Sequence, residues 1–216
     1  MKIEHLRWTI QRGWQRHGEN HDPFDEVTDR VRESRRSVQL ILLFGATDIF
    51  KSEKWIEPIR LAYPAAHVLG CSTAGEIFDT QVTDNSLVAT AIQFEQTQVR
   101  GNYIRIEEAE TSFQAGARLA KAFDSKGLVH LFVLCDGLCT NGSDLIRGLR
   151  SQLADTVTLT GGLSGDGDRF QETLVLSNDT IDRGLIAAVG LYSDRLQVGL
   201  AELRHKLCQT RLSSIF

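Results

Sequence analysis

Four short apolar runs, each closed by a cluster of glycines and small polar residues, constrain the fold of this chain more than any other feature. Val38 to Phe44 runs into Gly45-Ala46-Thr47-Asp48, and Ala66 to Leu69 into Gly70-Cys71-Ser72-Thr73-Ala74-Gly75-Glu76. Leu128 to Leu134 runs into Cys135-Asp136-Gly137-Leu138-Cys139-Thr140-Asn141-Gly142-Ser143, and a strand near Val157 to Thr160 into Gly161-Gly162-Leu163-Ser164-Gly165-Asp166-Gly167. Short apolar runs that hardly alternate mark strands covered on both faces.

The segments between them read as helices and further strands. Asp22 to Arg36 carries helix punctuation, with a capping Asp22, Pro23 in the first turn and arginines at the end. A helix is expected from about Ser52 to Ala62, disturbed near Pro58. Thr111 and Gln114 form a capping box before an apolar face of Phe113, Ala117, Ala120 and Phe123, and a further helix is expected over Asn141 to Leu153. Ser86 to Phe94 and Gln98 to Ile106 alternate enough for antiparallel strands, and more strands are expected at Thr173 to Leu176, Leu185 to Leu191 and Leu196 to Leu200. The expected class is α/β, with mixed parallel and antiparallel sheets flanked by helices. One domain is expected over residues 1–203, with a short tail over 204–216.

Composition removes several functions. The 216 residues carry 28 acidic against 24 basic side chains, a formal net charge of -4, so the basic footprint of a nucleic-acid binder is missing. No apolar run approaches the ~20 residues of a membrane span, and the charged start Met1 to Arg7 lacks a signal peptide's apolar core. A cytoplasmic protein is expected. Cys71, Cys135, Cys139 and Cys208 form no CxxC pair and are read as reduced thiols.

The loops that close the strands suggest a binding crevice, because open α/β sheets bind ligands beyond the carboxyl ends of their strands. The plainer reading is that the same residues only make tight turns. A catalytic reading uses Ser72 or Cys71 as nucleophile of a hydrolase or transferase. It lacks a base, since His67 and His130 fall inside apolar strand runs, and Ala74 replaces a glycine of the nucleophile elbow. His17 and His21 are four apart, but Glu19 is out of register for a zinc motif, and Asp166-Gly167-Asp168 fails as a calcium loop at Phe170 and Ser177. Neither catalytic nor metal-binding residues are expected.

Gly70 to Ile77, Asp136-Gly137-Leu138 with Asn141-Gly142-Ser143, and Gly161 to Gly167, in that order, closely resemble the motifs of the FIST sensory domain family, in particular its amino-terminal part. The opening Met1-Lys2-Ile3, Leu6-Arg7-Trp8 and Gly13-Trp14 is similar to that family's start. The resemblance implies a small-ligand-binding sensory domain of signal transduction, with amino acids among the proposed ligands. Family members continue into a carboxyl-terminal FIST half, so the resemblance also implies a partner, either that half or a histidine kinase, and the strands near residue 190 suggest self-association. Some similar bacterial proteins hold haem and sense nitric oxide. None of His5, His17, His21, His67, His130 and His205 lies in the glycine loops, so no cofactor is expected here. The expected ligand-binding residues are Cys71, Ser72, Thr73, Glu76, Asp136, Asn141, Ser143, Gly162, Ser164 and Asp166. Glu76, Asp136 and Asp166 would favour an amine, because these loops contain no Lys or Arg, and the helix start at Asn141 to Ser143 would receive a carboxylate.

Overall fold

A computed structural model describes residues 1–16, 22–24, 29–52 and 54–199. The pair His17 and His21, read in the sequence as out of register for zinc, most of the front of the Asp22 helix, and the 204–216 tail lie outside the described residues.

The period-2 geometry of strands explains the layering, because successive side chains of one strand point to opposite faces. In β3 (Leu40–Gly45), Ile41 and Leu43 join one core while Leu40 joins another. In β9 (Leu128–Cys135), Leu131, Val133 and Cys135 face a third core while Leu134 faces the one that holds Leu40. Two stacked sheets therefore share a central core and each is covered by helices on its outer face. The central core contains Leu69, Val175, Leu185, Ala187 and Val189.

The larger sheet has the order β12-β11-β4-β3-β7-β1-β2. It comprises β1 (Lys2–Thr9), β2 (Gly13–Arg16), β3, β4 (His67–Ser72), β7 (Leu87–Gln93), β11 (Val175–Ser177) and β12 (Thr180–Asp182). Only β3 and β4 run parallel in it; β7 and β11 flank them antiparallel. The smaller sheet has the order β10-β9-β13-β8, from β8 (Gln98–Arg105), β9, β10 (Thr158–Leu163) and β13 (Leu185–Tyr192). A separate hairpin joins β5 (Glu76–Phe78) to β6 (Gln81–Thr83). The fold is α/β with mixed sheets, as expected.

Helices α1 (Asp29–Arg36), α2 (Thr47–Ser52) and α3 (Ile56–Ala62) cover the larger sheet, and α4 (Ser112–Lys121) and α5 (Gly142–Arg150) the smaller. Thr111 caps α4 through the Gln114 N–H, and the Gln114 side chain accepts in return from the Glu110 N–H, one residue outside the expected box. The helix expected from about Ser52 to Ala62 begins later, as α3 at Ile56, and a separate helix, α2, ends at Ser52, over residues read in the sequence as a strand-end loop. Trp55 separates the two: it is fully buried, and its Nε1–H donates to the Ile49 carbonyl in the middle of α2, 2.8 Å away. Pro58 then falls in the first turn of α3, where a missing N–H costs nothing. The strand expected at Leu196 to Leu200 is absent over the described residues 196–199. Ser193 Oγ accepts from the N–H groups of Arg195 and Leu196, which turns the chain before it can pair. The strands β1 and β2, read only as a family-like start, close the larger sheet with Leu6, Trp8 and Trp14 inward.

Candidate functional site

The four glycine-rich segments do meet at one end of the stacked sheets. Gly45 O accepts from the Thr73 N–H, Ser72 O from the Gly165 N–H, and Cys135 O from the Ser164 N–H, all at 2.8 to 2.9 Å. The Thr47 hydroxyl donates to Asp166 Oδ1 at 3.0 Å. Gly137 is needed for this closeness, since a Cβ there would lie 2.1 Å from the Ser164 carbonyl oxygen.

Most of the expected site residues hold this junction together. Ser72 is fully buried; its hydroxyl donates to Gly165 O at 2.8 Å and accepts from the Leu174 N–H at 3.0 Å. Neither bond involves a histidine or carboxylate that could activate it. Burial pushes the Cys71 thiol up to about 12, with nearby Cys135 adding to the shift, so the nucleophilic thiolate is suppressed. Asp136 accepts at Oδ1 from the Leu138 and Cys139 N–H groups and the Thr173 hydroxyl, and at Oδ2 from the Gly184 N–H. Ser164 Oγ accepts from Gly137 N–H, and Asn141 Oδ1 caps α5 through the Asp144 N–H.

Thr73, Glu76 and Asp166 are the expected residues that line a common cleft of about 430 Å³, together with Ala46, Asp84 and Arg169. Cys71, Ser72, Asp136, Asn141, Ser143, Gly162 and Ser164 do not line it, and Gly162 lies instead on an apolar hollow between α5 and β10. Asp84, Asn85, Asp168 and Arg169 were not singled out in the sequence as ligand-binding. The turn-forming run Thr83-Asp84-Asn85-Ser86 was the available signal, and Asn85 takes φ +55, in the left-handed region. Arg169 alters the expected charge, since it follows the last loop closely and folds back into the cleft.

The two buried carboxylates of the cleft differ. Burial pushes Glu76 above the usual carboxylate range, and hydrogen bonds from Ser86 and Thr73 offset this only in part. Thr73 Oγ1 donates to Oε1 at 2.9 Å, and the Ser86 hydroxyl and N–H donate to Oε2 at 2.8 and 3.2 Å. For Asp166, burial also favours the neutral acid, yet Arg169 and the N–H groups of Glu172 and Gln171, with the Thr47 hydroxyl, outweigh it and hold the carboxyl at about 2. A depressed folded value means stability that is present above the unfolded value of about 3.9 and lost as pH falls towards 2. Urea midpoints are therefore expected to fall between about pH 4 and pH 2, and Asp166→Asn to flatten that limb.

Haem does not fit the described histidines. Both nitrogens of His130 are engaged, by Thr158 Oγ1 at 2.7 Å and Thr160 Oγ1 at 2.9 Å. His67 Nε2 is buried without a hydrogen-bond partner, but its ring lies against Gly101 of β8, where a Cβ would sit 1.9 Å from that nitrogen. His5 Nδ1 lies 3.2 Å from Thr90 Oγ1 on an exposed strand face. Among the described residues no group of three His, Cys, Asp or Glu side chains is placed to hold a metal ion. No described helix is long and apolar enough to cross a membrane.

The chain is thus a mixed α/β body whose strand-end loops line a polar cleft. Residues 39–204 match the FIST N domain, and the chain belongs to the FIST family, whose domains are sensory domains of signal transduction. No curated protein matches the chain.

Proposed function

We propose that the chain is a sensory domain that binds a small amine-bearing molecule, an amino acid or a similar zwitterion, in the cleft at the ends of β3 and β4, and does not turn it over. The observation that supports this most is Glu76, a buried carboxylate on the cleft wall whose charge is opposed by its surroundings. An ammonium group placed there supplies the missing counter-charge. Asp84, Asp166 and Asp168 give the same wall a negative field, and Arg169, whose Nε and Nη2 hold Asp166 and whose Nη1 lies 3.9 Å from Asp48 Oδ2, is the cation lining the cleft that a ligand carboxylate would meet. In this reading Arg169 takes the role expected of the α5 amino terminus. The output partner that it carries is a histidine kinase or a carboxyl-terminal FIST half. The readings as a haem sensor and as a Ser72 or Cys71 enzyme have no such support.

The test is calorimetry against a panel of free amino acids, their N-acetyl derivatives and their decarboxylated amines. At least one free-amine compound is expected to bind, its N-acetyl form not. Affinity should rise with pH as Glu76 ionises, because a raised carboxyl must lose its proton before it pairs with an ammonium group. Glu76→Gln keeps an acceptor for Ser86 and a donor for Thr73, so it should fold and bind about 10 to 100-fold more weakly, the usual worth of a hydrogen bond to a charged group. Equal binding of acetylated and free compounds, or no binding by any of them, would overturn the reading.

A further inference from the structure

A second cleft, on the outer helical layer, has the opposite charge character. It has a volume of about 470 Å³ and lies where the end of α1 meets α3, walled by Phe24, Pro58, Leu61, Ala62 and Pro64. Among the described residues its charged members are Arg35 and Arg36, and no described acidic side chain lines it.

Arg35 is the unusual member. The residue is only 7% exposed, a burial that arginines reach almost only when paired with a carboxylate. Among the described residues it has no such partner. Nη2 donates to the Pro23 carbonyl at 2.6 Å, the guanidinium lies 5.0 Å from the Phe24 ring centre and 5.7 Å from that of Tyr63, and Nε is buried with no hydrogen-bond partner. The nearby carboxylate of Glu4 is spent elsewhere: Oε1 accepts from Arg16 Nε and Nη2, and Oε2 from the Tyr63 hydroxyl. Two aromatic faces and one carbonyl offset part of the cost of burying this cation, and a guanidinium fork is shaped to take a carboxylate on parallel N–H groups.

We propose that this cleft binds an apolar organic monocarboxylate, with its carboxylate on Arg35 and its hydrocarbon body against Phe24, Pro58, Leu61 and Pro64. The walls decide between anions. A phosphate brings a second charge and needs donors on several sides, and prolines, Leu61 and Ala62 supply none. A carboxylate on an aromatic or branched body satisfies the guanidinium and covers Leu61, which is 76% exposed. The site is independent of the Glu76 cleft and of the amine reading.

The probes are phenylacetate, its neutral isostere phenylacetamide, and inorganic phosphate, titrated into the full chain. Phenylacetate should bind at least tenfold more tightly than either of the others. Leu61→Glu places a carboxylate at the mouth of the cleft on an exposed helix position, so it should retain the circular dichroism and melting of the parent and lose at least tenfold in phenylacetate affinity. Glu76→Gln should leave phenylacetate binding unchanged. Equal binding of acid and amide, phosphate binding as tightly as phenylacetate, no binding of phenylacetate, or undiminished binding by a folded Leu61→Glu protein would each overturn the proposal.

Discussion

Asp136→Ala is expected to cost the protein more than about 4 kcal/mol and to leave much of it unfolded at room temperature. The carboxylate is 1% exposed, and it serves three backbone N–H groups and the Thr173 hydroxyl. Each buried donor left without an acceptor costs about 1 to 3 kcal/mol. Asp136→Asn is milder, since one amide oxygen remains, yet its NH2 group must face an N–H or a hydroxyl donor. Urea unfolding followed by circular dichroism measures both. Because Asp136 lies outside the amine cleft, the folded fraction of the Asn protein should bind an amine ligand as the parent does, which separates a structural carboxylate from a ligand-binding one.

The second large effect lies between the helices of the smaller sheet. A Cβ on Gly148 of α5 would sit 2.0 Å from the Phe113 carbonyl oxygen, and one on Gly116 of α4 would sit 2.3 Å from that of Leu145. The two helices therefore touch backbone to backbone at reciprocal glycines, and neither obstacle is a side chain that can rotate away. Gly148→Ala is expected to force α5 outward and cost about 3 kcal/mol, the upper end for overpacking. Adding Gly116→Ala should cost less than a second full increment, because one outward shift relieves both contacts. Gly162→Ala is the control: nothing lies within 4 Å of a Cβ there, and its urea midpoint should stay close to that of the parent.

The strands buried on both faces were legible because the apolar runs carry their own signature, and the capped starts of α4 and α5 were legible because Thr111 and Asn141 act on residues three positions away. Both signals are local. What the loops do with their polar groups was not legible, because their partners are remote: Ser72 answers Leu174, Thr47 answers Asp166, and Asp136 answers Gly184. A small polar residue after a strand reads the same whether it faces a ligand or a distant backbone donor. Arg169 was missed for a related reason, as only the turn at Gly167, with φ +63, brings it back over Asp166. The strand expected after Tyr192 failed on a single hydroxyl, that of Ser193, which outcompeted weak apolar alternation.

The order β10-β9-β13-β8 also sets a timetable for synthesis. Strand β8 ends at Arg105, and its neighbour in the sheet, β13, begins at Leu185. At about 5 to 20 residues per second, β8 leaves the ribosome roughly 4 to 16 s before anything exists for it to pair with. A strand left open that long invites pairing with another chain. Its sequence is guarded accordingly: Gln98, Arg100, Asn102 and Arg105 interrupt every apolar position but Tyr103-Ile104, and Gly101 lowers its strand propensity further. When β13 arrives, Arg100 closes over the Tyr192 ring at 4.7 Å, so a residue that keeps the nascent strand apart from other chains is used in the finished sheet as a contact.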